Sequence, residues 1–321
     1  MKAALITDRQ FADEFSARPG LIPVSFDYSS HDNSPARLIW LDLDRYHCYE
    51  GFFTQSLSMY AAMRPAPAAR FSTSLDVLSS LLLEDSLTPS GFIFHPGRSG
   101  STLLAKALAR SRENVVFSEA PPHNQVWKTL PASKDDAVNF YRRLVLAMGR
   151  RRLPTYRSHF IKFTSYNITQ FALIRAAFPD TPALFLFRHP DAVLESSARE
   201  VQPFLGIDIG LEKIWTDPRE ALLDFCASCL AIQDPRFRCL NYADLAPQNL
   251  SAILEFFGVP PSSPPELSLM QSEFVWDSKS GRIPRLFVPR SEPQSRADPC
   301  LLSLYRRLAD RAEMEWEFSP A

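Results

Sequence analysis

The chain has 321 residues, of which 45% are apolar, 22% charged and 12% aromatic, so it can bury a real core and lies far from disordered or collagen-like compositions. Lys plus Arg number 35 against 36 Asp plus Glu, which leaves no global positive field for a nucleic-acid backbone or an anionic membrane face. Anion recognition must therefore be local, and neither nucleic acid nor membrane is an expected partner.

In chain order, MKAALITDRQFADEF returns to charge after a short apolar run, which does not suit a secretory signal, and no later stretch reaches the ~20 apolar residues that cross a bilayer. PARLIWLDL predicts a strand, YEGFFTQSLSMYAAM a helix with an apolar face, and STSLDVLSSLLLED a second helix with Ser72 or Ser74 as N-cap. The proline-rich MRPAPAAR between the two helices reads as a linker. Residues 1–89 are taken as an N-terminal α+β extension without a chemical motif, in which Tyr46, Tyr49, Phe52 and Phe53 could wall an acceptor pocket.

From residue 90 to 321 the rhythm changes, and short apolar runs alternate with amphipathic stretches. The units are GFIFH then STLLAKALARS, NVVFSE, FIKF then TQFALIRAAF, PALFLF then AVLESSAREV, and RCLNY then NLSAILEFFGV. Non-alternating apolar strands separated by helices predict an α/β fold with a central, largely parallel sheet flanked by helices. YRRLVLAMGRRRLPTYRSHFIK, from Tyr141 to Lys162, carries seven cationic side chains and no acid; it reads as a solvated face, or as a region that draws an anionic ligand. ALLDFCASCLAI contains Cys226 and Cys229 without a second ligand pair at zinc spacing, which predicts buried free thiols. Five scattered cysteines do not make a secreted disulfide framework, and a cytoplasmic setting is expected. The Pro- and Ser-rich stretch from 260 to 299 predicts a long loop or lid before a last helix, LLSLYRRLADRAEME.

The segment GFIFHPGRSGSTLLAKALA is a strand, a turn holding Gly97 and Gly100, and a helix opening at Ser101 and Thr102. Glycines allow close backbone approach to an anion, and unpaired amides at a helix start aim at it with the positive end of the dipole. A nucleoside-triphosphate loop would read GxxxxGK[ST], but Ser101 follows Gly100 here and the basic residue stands ahead of the glycine, at Arg98.

This PGRSGSTLL segment resembles the 5′-phosphosulfate loop of sulfotransferases that use 3′-phosphoadenosine 5′-phosphosulfate (PAPS), where a P[RK]SGTT-like turn follows the first strand. A second likeness lies in FRHPDAVLESS, where Arg188, Pro190 and Ser196 match the family's RxPxxxxxS pattern for the donor's 3′-phosphate. An Arg fork offers paired donors and permanent charge to a dianion, and a hydroxyl on the next helix completes the shell. HFIKFTSYN resembles the family's KTP-type strand end, with Lys162 at the lysine position and Ser165 where Pro is common. RCLNYADLAPQNLSAILEFFGVP resembles its YEDL…FLG segment, placing Tyr242 at a donor-binding position, with Ala243 in place of the usual Glu. SKSGR at 278–282 stands weakly for the basic-glycine loop over the adenosine. The resemblance covers residues 91–260 and implies a P-loop sulfotransferase-like fold with PAPS as donor, no required metal and a small-molecule acceptor.

It further implies that Gly97, Arg98, Ser99, Gly100, Ser101, Thr102, Arg188, Ser196 and Tyr242 hold the donor, with Arg98 and Lys162 stabilising charge on the transferred group. Sulfuryl transfer needs alignment, charge stabilisation and a base for the acceptor proton. Sulfotransferases acting on protein tyrosine carry their catalytic Glu 21 residues beyond the loop Arg, the separation of Arg98 and Glu119. Glu119 is thus the expected base, with pairing to Arg98 or Lys162 as its alternative role, and His123 is the competing base. An ATP-using kinase-like transferase and a non-catalytic scaffold are the alternative functions.

Overall fold

The computed structural model describes residues 3–28, 35–198, 204–259, 261, 263–276 and 298–318. The N-terminal part runs β1 (Ala4–Leu5), α1 (Asp8–Ala17), β2 (Leu21–Asp27), β3 (Arg37–Asp42), α2 (Phe53–Met63), β4 (Arg70–Thr73) and the one-turn α3 (Val77–Ser80). Its strands form a sheet in the order β1-β4-β3-β2, with β1 parallel to β4 and the other pairs antiparallel. Thr7 starts α1 through a capping box with Gln10, and Phe11 and Phe15 of that helix pack on Trp40 of β3 at 4.6 and 5.7 Å between ring centroids.

The helix expected across STSLDVLSSLLLED is a correction. Ser72 belongs to β4, and only Val77–Ser80 is helical, entered from Asp76 rather than from Ser72 or Ser74. The reason is tertiary: β3 offers a partner edge to Arg70–Thr73, and Thr73 accepts the Trp40 indole N–H at 2.9 Å.

The second part runs β5 (Gly91–Phe94), α4 (Ser101–Arg110), β6 (Asn114–Ser118), α5 (Pro121–Gln125), α6 (Lys134–Met148), β7 (Ser158–Lys162), α7 (Phe171–Ala177), β8 (Ala183–Phe187), α8 (Pro190–Ser197), α9 (Pro218–Ala231), β9 (Phe237–Asn241), α10 (Leu250–Phe256), α11 (Pro264–Gln271) and α12 (Pro299–Glu315). Its five strands make an all-parallel sheet in the order β6-β7-β5-β8-β9. Both faces are covered, which is why the strands read as unbroken apolar runs. Phe92, Phe94, Phe185 and Phe187 enter the core on one face, while Ile93, Leu184 and Leu186 enter the core on the other. The first of these cores also contains Phe11 and Trp40, so the N-terminal aromatic cluster is continuous with it.

Much of the basic stretch before Lys162 is tied down, with Arg152 buried, while Arg142 and Arg157 stay exposed. Arg142 donates to the Ala177 carbonyl at 2.7 Å, Arg143 to the Leu78 and Leu81 carbonyls, and Arg150 to those of Phe15 and Arg18. These guanidiniums tie α6 and the segment after it to neighbouring elements, a use of Arg that charge counting along the sequence does not distinguish from exposure. Cys226 and Cys229 are buried thiols, with the Cys229 Sγ 3.5 Å from that of Cys239, and burial pushes the Cys226 thiol up to about 12. Among the described residues no helix is long and apolar enough to cross a membrane. SKSGR at 278–282 lies outside the described residues, whereas the earlier part of the expected loop contains α11.

β5 stands at the middle of the parallel sheet, the chain moving to the β7/β6 side after it and to the β8/β9 side later. The carboxyl ends of β5 and β8 therefore flank a topological switch point, where open α/β sheets leave a crevice for ligands.

Candidate active site

Each of the five parallel strands delivers a charged or polar group just at or beyond its carboxyl end: His95 and the glycine turn from β5, Glu119 from β6, Lys162 from β7, Arg188 from β8 and Tyr242 from β9. The turn after β5 is left-handed at Gly97 (φ 99°), Arg98 (φ 55°) and Gly100 (φ 85°), and Gly100 leads into α4 with no side-chain cap. The amides of Ser99, Gly100, Ser101 and Thr102 find no acceptor among the described residues, so the start of α4 is left open to an anion. The Ser99 hydroxyl is fully buried and also lacks a partner among the described residues. Gly97 differs, since its amide donates to His95 Nδ1 at 2.9 Å and is already spent.

The two anion-binding segments expected from the sequence meet across the switch point. Arg98 Nη2 donates to the Ser196 carbonyl at 2.9 Å, joining the turn to α8. Arg188 stacks its guanidinium 4.5 Å from the centroid of Tyr242. That ring in turn covers Gly100 so closely that a Cβ there would lie 2.7 Å from Tyr242 Cδ2. Gly100, Tyr242 and Arg188 thus form one stack.

On the other side of β5, Lys162 is 1% exposed and its ammonium forms an ion pair with Glu119 Oε1. The same ammonium lies 3.4 Å from Thr102 Oγ1 and 5.0 Å from the centroid of Phe52. Lys162 therefore bridges the glycine turn and Glu119. Thr164 Oγ1 donates to the other Glu119 oxygen at 3.5 Å, and the carboxylate side chain keeps 23% of its surface open. Tyr166 feels this charge: burial, then the nearby Glu119, push its hydroxyl pKa up.

His123 is brought to a different environment. It is 1% exposed, its Nδ1 lies 3.5 Å from the Tyr141 hydroxyl, and its ring packs edge-on to Phe163 at 5.6 Å. Burial, assisted by His159, lowers its pKa to about 3. Such an imidazole is a weak proton acceptor with no open face, whereas the Glu119 carboxylate keeps part of its surface open.

Of the aromatic residues in the N-terminal region, only Phe52 is placed at this cluster. Ser118 donates to the Gly51 carbonyl at 2.7 Å, which fixes Phe52 against Lys162. Phe53 packs into the core on Phe117, Tyr46 bonds Glu50 and lies tilted against Tyr60, and Tyr49 is exposed. His95 and Thr164 were not anticipated; the only signal for His95 was its position directly ahead of the Pro-Gly turn.

Comparison with solved structures finds sulfotransferases. The sulfotransferase domain from the curacin biosynthetic pathway aligns with a TM-score of 0.42 and 19% identity, over 70% of this chain and 99% of that one. A sulfotransferase from Alicyclobacillus acidocaldarius aligns with a TM-score of 0.39 and 15% identity, over 71% and 95%. A sulfotransferase from Mycobacterium tuberculosis gives 0.39 and 13%, over 72% and 84%. No family model and no curated sequence matches the chain.

Proposed function

We propose that the protein moves a sulfuryl group from PAPS to a hydroxyl or amine of a small-molecule acceptor. The observation that carries this reading is that the open turn at Ser99–Thr102, tied to α8 through Arg98 and the Ser196 carbonyl, and Arg188 stacked on Tyr242 lie at adjoining strand ends with the Lys162–Glu119 ion pair beside them. Two anchors suit a ligand phosphorylated at two places, and the buried unpartnered Ser99 hydroxyl together with the uncapped α4 amides suits an anion at the turn.

In this reading the donor, when bound, supplies a sulfuryl group on a good leaving phosphate. The turn amides and Arg98 hold the 5′ end, while Arg188, seated on Tyr242, and Ser196 hold the 3′-phosphate. Lys162, next to Thr102, offsets the negative charge that collects on the leaving oxygen. Glu119 takes the acceptor proton as the acceptor oxygen or nitrogen bonds sulfur and the sulfur to bridging-oxygen bond breaks. Phe52 excludes water above the ammonium, which strengthens these interactions.

Adenosine 3′,5′-bisphosphate should raise the melting temperature by selective binding to the folded chain. Labelled donor incubated with a fractionated metabolite pool should label one acceptor, and Glu119→Gln should abolish that labelling while bisphosphate binding persists. No thermal shift at millimolar bisphosphate with folded protein would defeat the proposal.

A further inference from the structure

We infer that His95 is a positioning residue that locks the glycine turn and the Glu119 carboxylate into one register. The inference rests on the reading of the turn as donor site and of Glu119 as base, and deepens it.

The geometry fixes the tautomer. His95 Nδ1 accepts the Gly97 amide at 2.9 Å, so Nδ1 carries no proton and the ring proton is on Nε2. That proton is donated to the Phe163 carbonyl at 2.8 Å, and Nε2 also lies 3.7 Å from Glu119 Oε1. One imidazole therefore touches the first residue of the turn, the chain just beyond Lys162, and the carboxylate. It is 5% exposed, and burial with the adjacent Lys162 charge holds it neutral, its pKa well below the ordinary value. The charged and titratable groups around Glu119 are Lys162 from β7, His95 after β5 and Tyr166 beyond β7.

A neutral ring does what a charged one would not. Protonation at Nδ1 would set two donors against each other at Gly97 and release the turn. Held neutral, His95 takes up the Gly97 amide, so the amides left for the donor begin beyond it. Because the same ring abuts Glu119, a shift of the turn moves with it the frame in which the carboxylate sits, and alignment errors near 1 Å cost about a hundredfold in such reactions.

Two conservative replacements separate the two contacts. In His95→Asn the amide oxygen takes the place of Nδ1 and accepts from Gly97, but nothing reaches Phe163 or Glu119. In His95→Gln the amide N–H reaches the Nε2 position, but Gly97 loses its acceptor. For the full chain, affinity for adenosine 3′,5′-bisphosphate is measured by calorimetry, and turnover as consumption of labelled PAPS in a soluble metabolite fraction. We expect His95→Asn to bind the bisphosphate as the parent does with turnover reduced at least about tenfold. His95→Gln should keep most of its turnover at saturating donor while its bisphosphate affinity falls about tenfold, the cost of a buried amide without an acceptor. Equal losses in both variants, or losses in neither, would overturn the role of His95. A parent chain that neither binds the bisphosphate nor consumes the donor would instead refute the sulfuryl-transfer reading itself.

Discussion

Gly100→Ala tests whether the turn, Tyr242 and Arg188 are one mechanical unit. Two costs add. Gly100 sits at φ 85° and ψ 0°, where an L side chain costs about 1–2 kcal/mol. The new methyl would also lie 2.7 Å from Tyr242 Cδ2 and 2.8 Å from both Tyr242 Cε2 and Leu245 Cδ2, so the ring and the leucine must move. Overpacking of this kind costs about 1–3 kcal/mol, giving a total near 2–5 kcal/mol. Because Arg188 lies 4.5 Å over the ring, a displaced Tyr242 carries the guanidinium with it.

Urea unfolding followed by tryptophan fluorescence reads the stability, and calorimetry with adenosine 3′,5′-bisphosphate reads the site. The affinity should fall along with stability. Tyr242→Ala in the same chain removes two of the three close contacts, so the double variant should be less destabilised than the sum of the singles. If Gly100→Ala costs under about 1 kcal/mol, adds simply to Tyr242→Ala and binds normally, the stack does not exist as described.

Three further outcomes follow from the same contacts. Glu119→Gln leaves the Lys162 ammonium buried without its carboxylate, and since Glu119 is itself partly open the loss should be about 2–4 kcal/mol in urea; adding Lys162→Met should restore part of it, and no restoration would argue against the ion pair. His95, His123 and His159 are all held neutral by burial, with the latter two at about 3 and about 4, against about 6.5 when unfolded. The unfolded chain thus binds more protons in acid, so this stability is fully present above pH 6.5 and is lost as pH falls towards 4; from pH 7 to 5.5 the loss is about 1 kcal/mol per histidine, and His123→Phe should flatten the slope by less than a third, since burial also lowers the pKa of His47. Among the five cysteines only Cys300 is exposed, so a thiol reagent should label it alone in the native chain, and rapid labelling of Cys229 or Cys239 would contradict their burial.

What could be read in the sequence was whatever depended on local pattern. Runs such as ALFLF are apolar at every position because both faces of β8 are covered, and a Gly-rich turn before an amphipathic helix suits close approach of an anion to the helix start. Arg188 and Tyr242 were legible as members of spaced patterns, although nothing in the spacing says that one stacks on the other. Ser72 and Thr73, expected at a helix start, belong to β4 because a partner strand, not their own composition, decides it. His95 was overlooked because its Nε2–H partner, the Phe163 carbonyl, is 68 positions away and is brought near only when β5 and β7 pair. Glu119 was the expected base from its spacing to Arg98, whereas the burial of His123, four residues further on, is something the sequence does not reveal.

The backbone supplies an independent argument about which residues function rather than stability selected. Among the described residues, three that are not glycine have positive φ: Asp44, Arg98 and Glu119. Asp tolerates this region, but Arg and Glu gain no local compensation there and each costs about 1–2 kcal/mol. Both follow strands of the parallel sheet, and both bring charge to the site, Arg98 against Ser196 and Glu119 against Lys162. The Glu119 amide still donates to the Lys162 carbonyl at 2.7 Å, so the chain remains in register with β7 while the residue itself abandons the extended conformation. Glycine would remove the strain at either position and would also remove the charge. A chain shaped for stability alone would place glycine or asparagine there, and strain held on an Arg after β5 and a Glu after β6, either side of β7, is consistent with the proposed charged site.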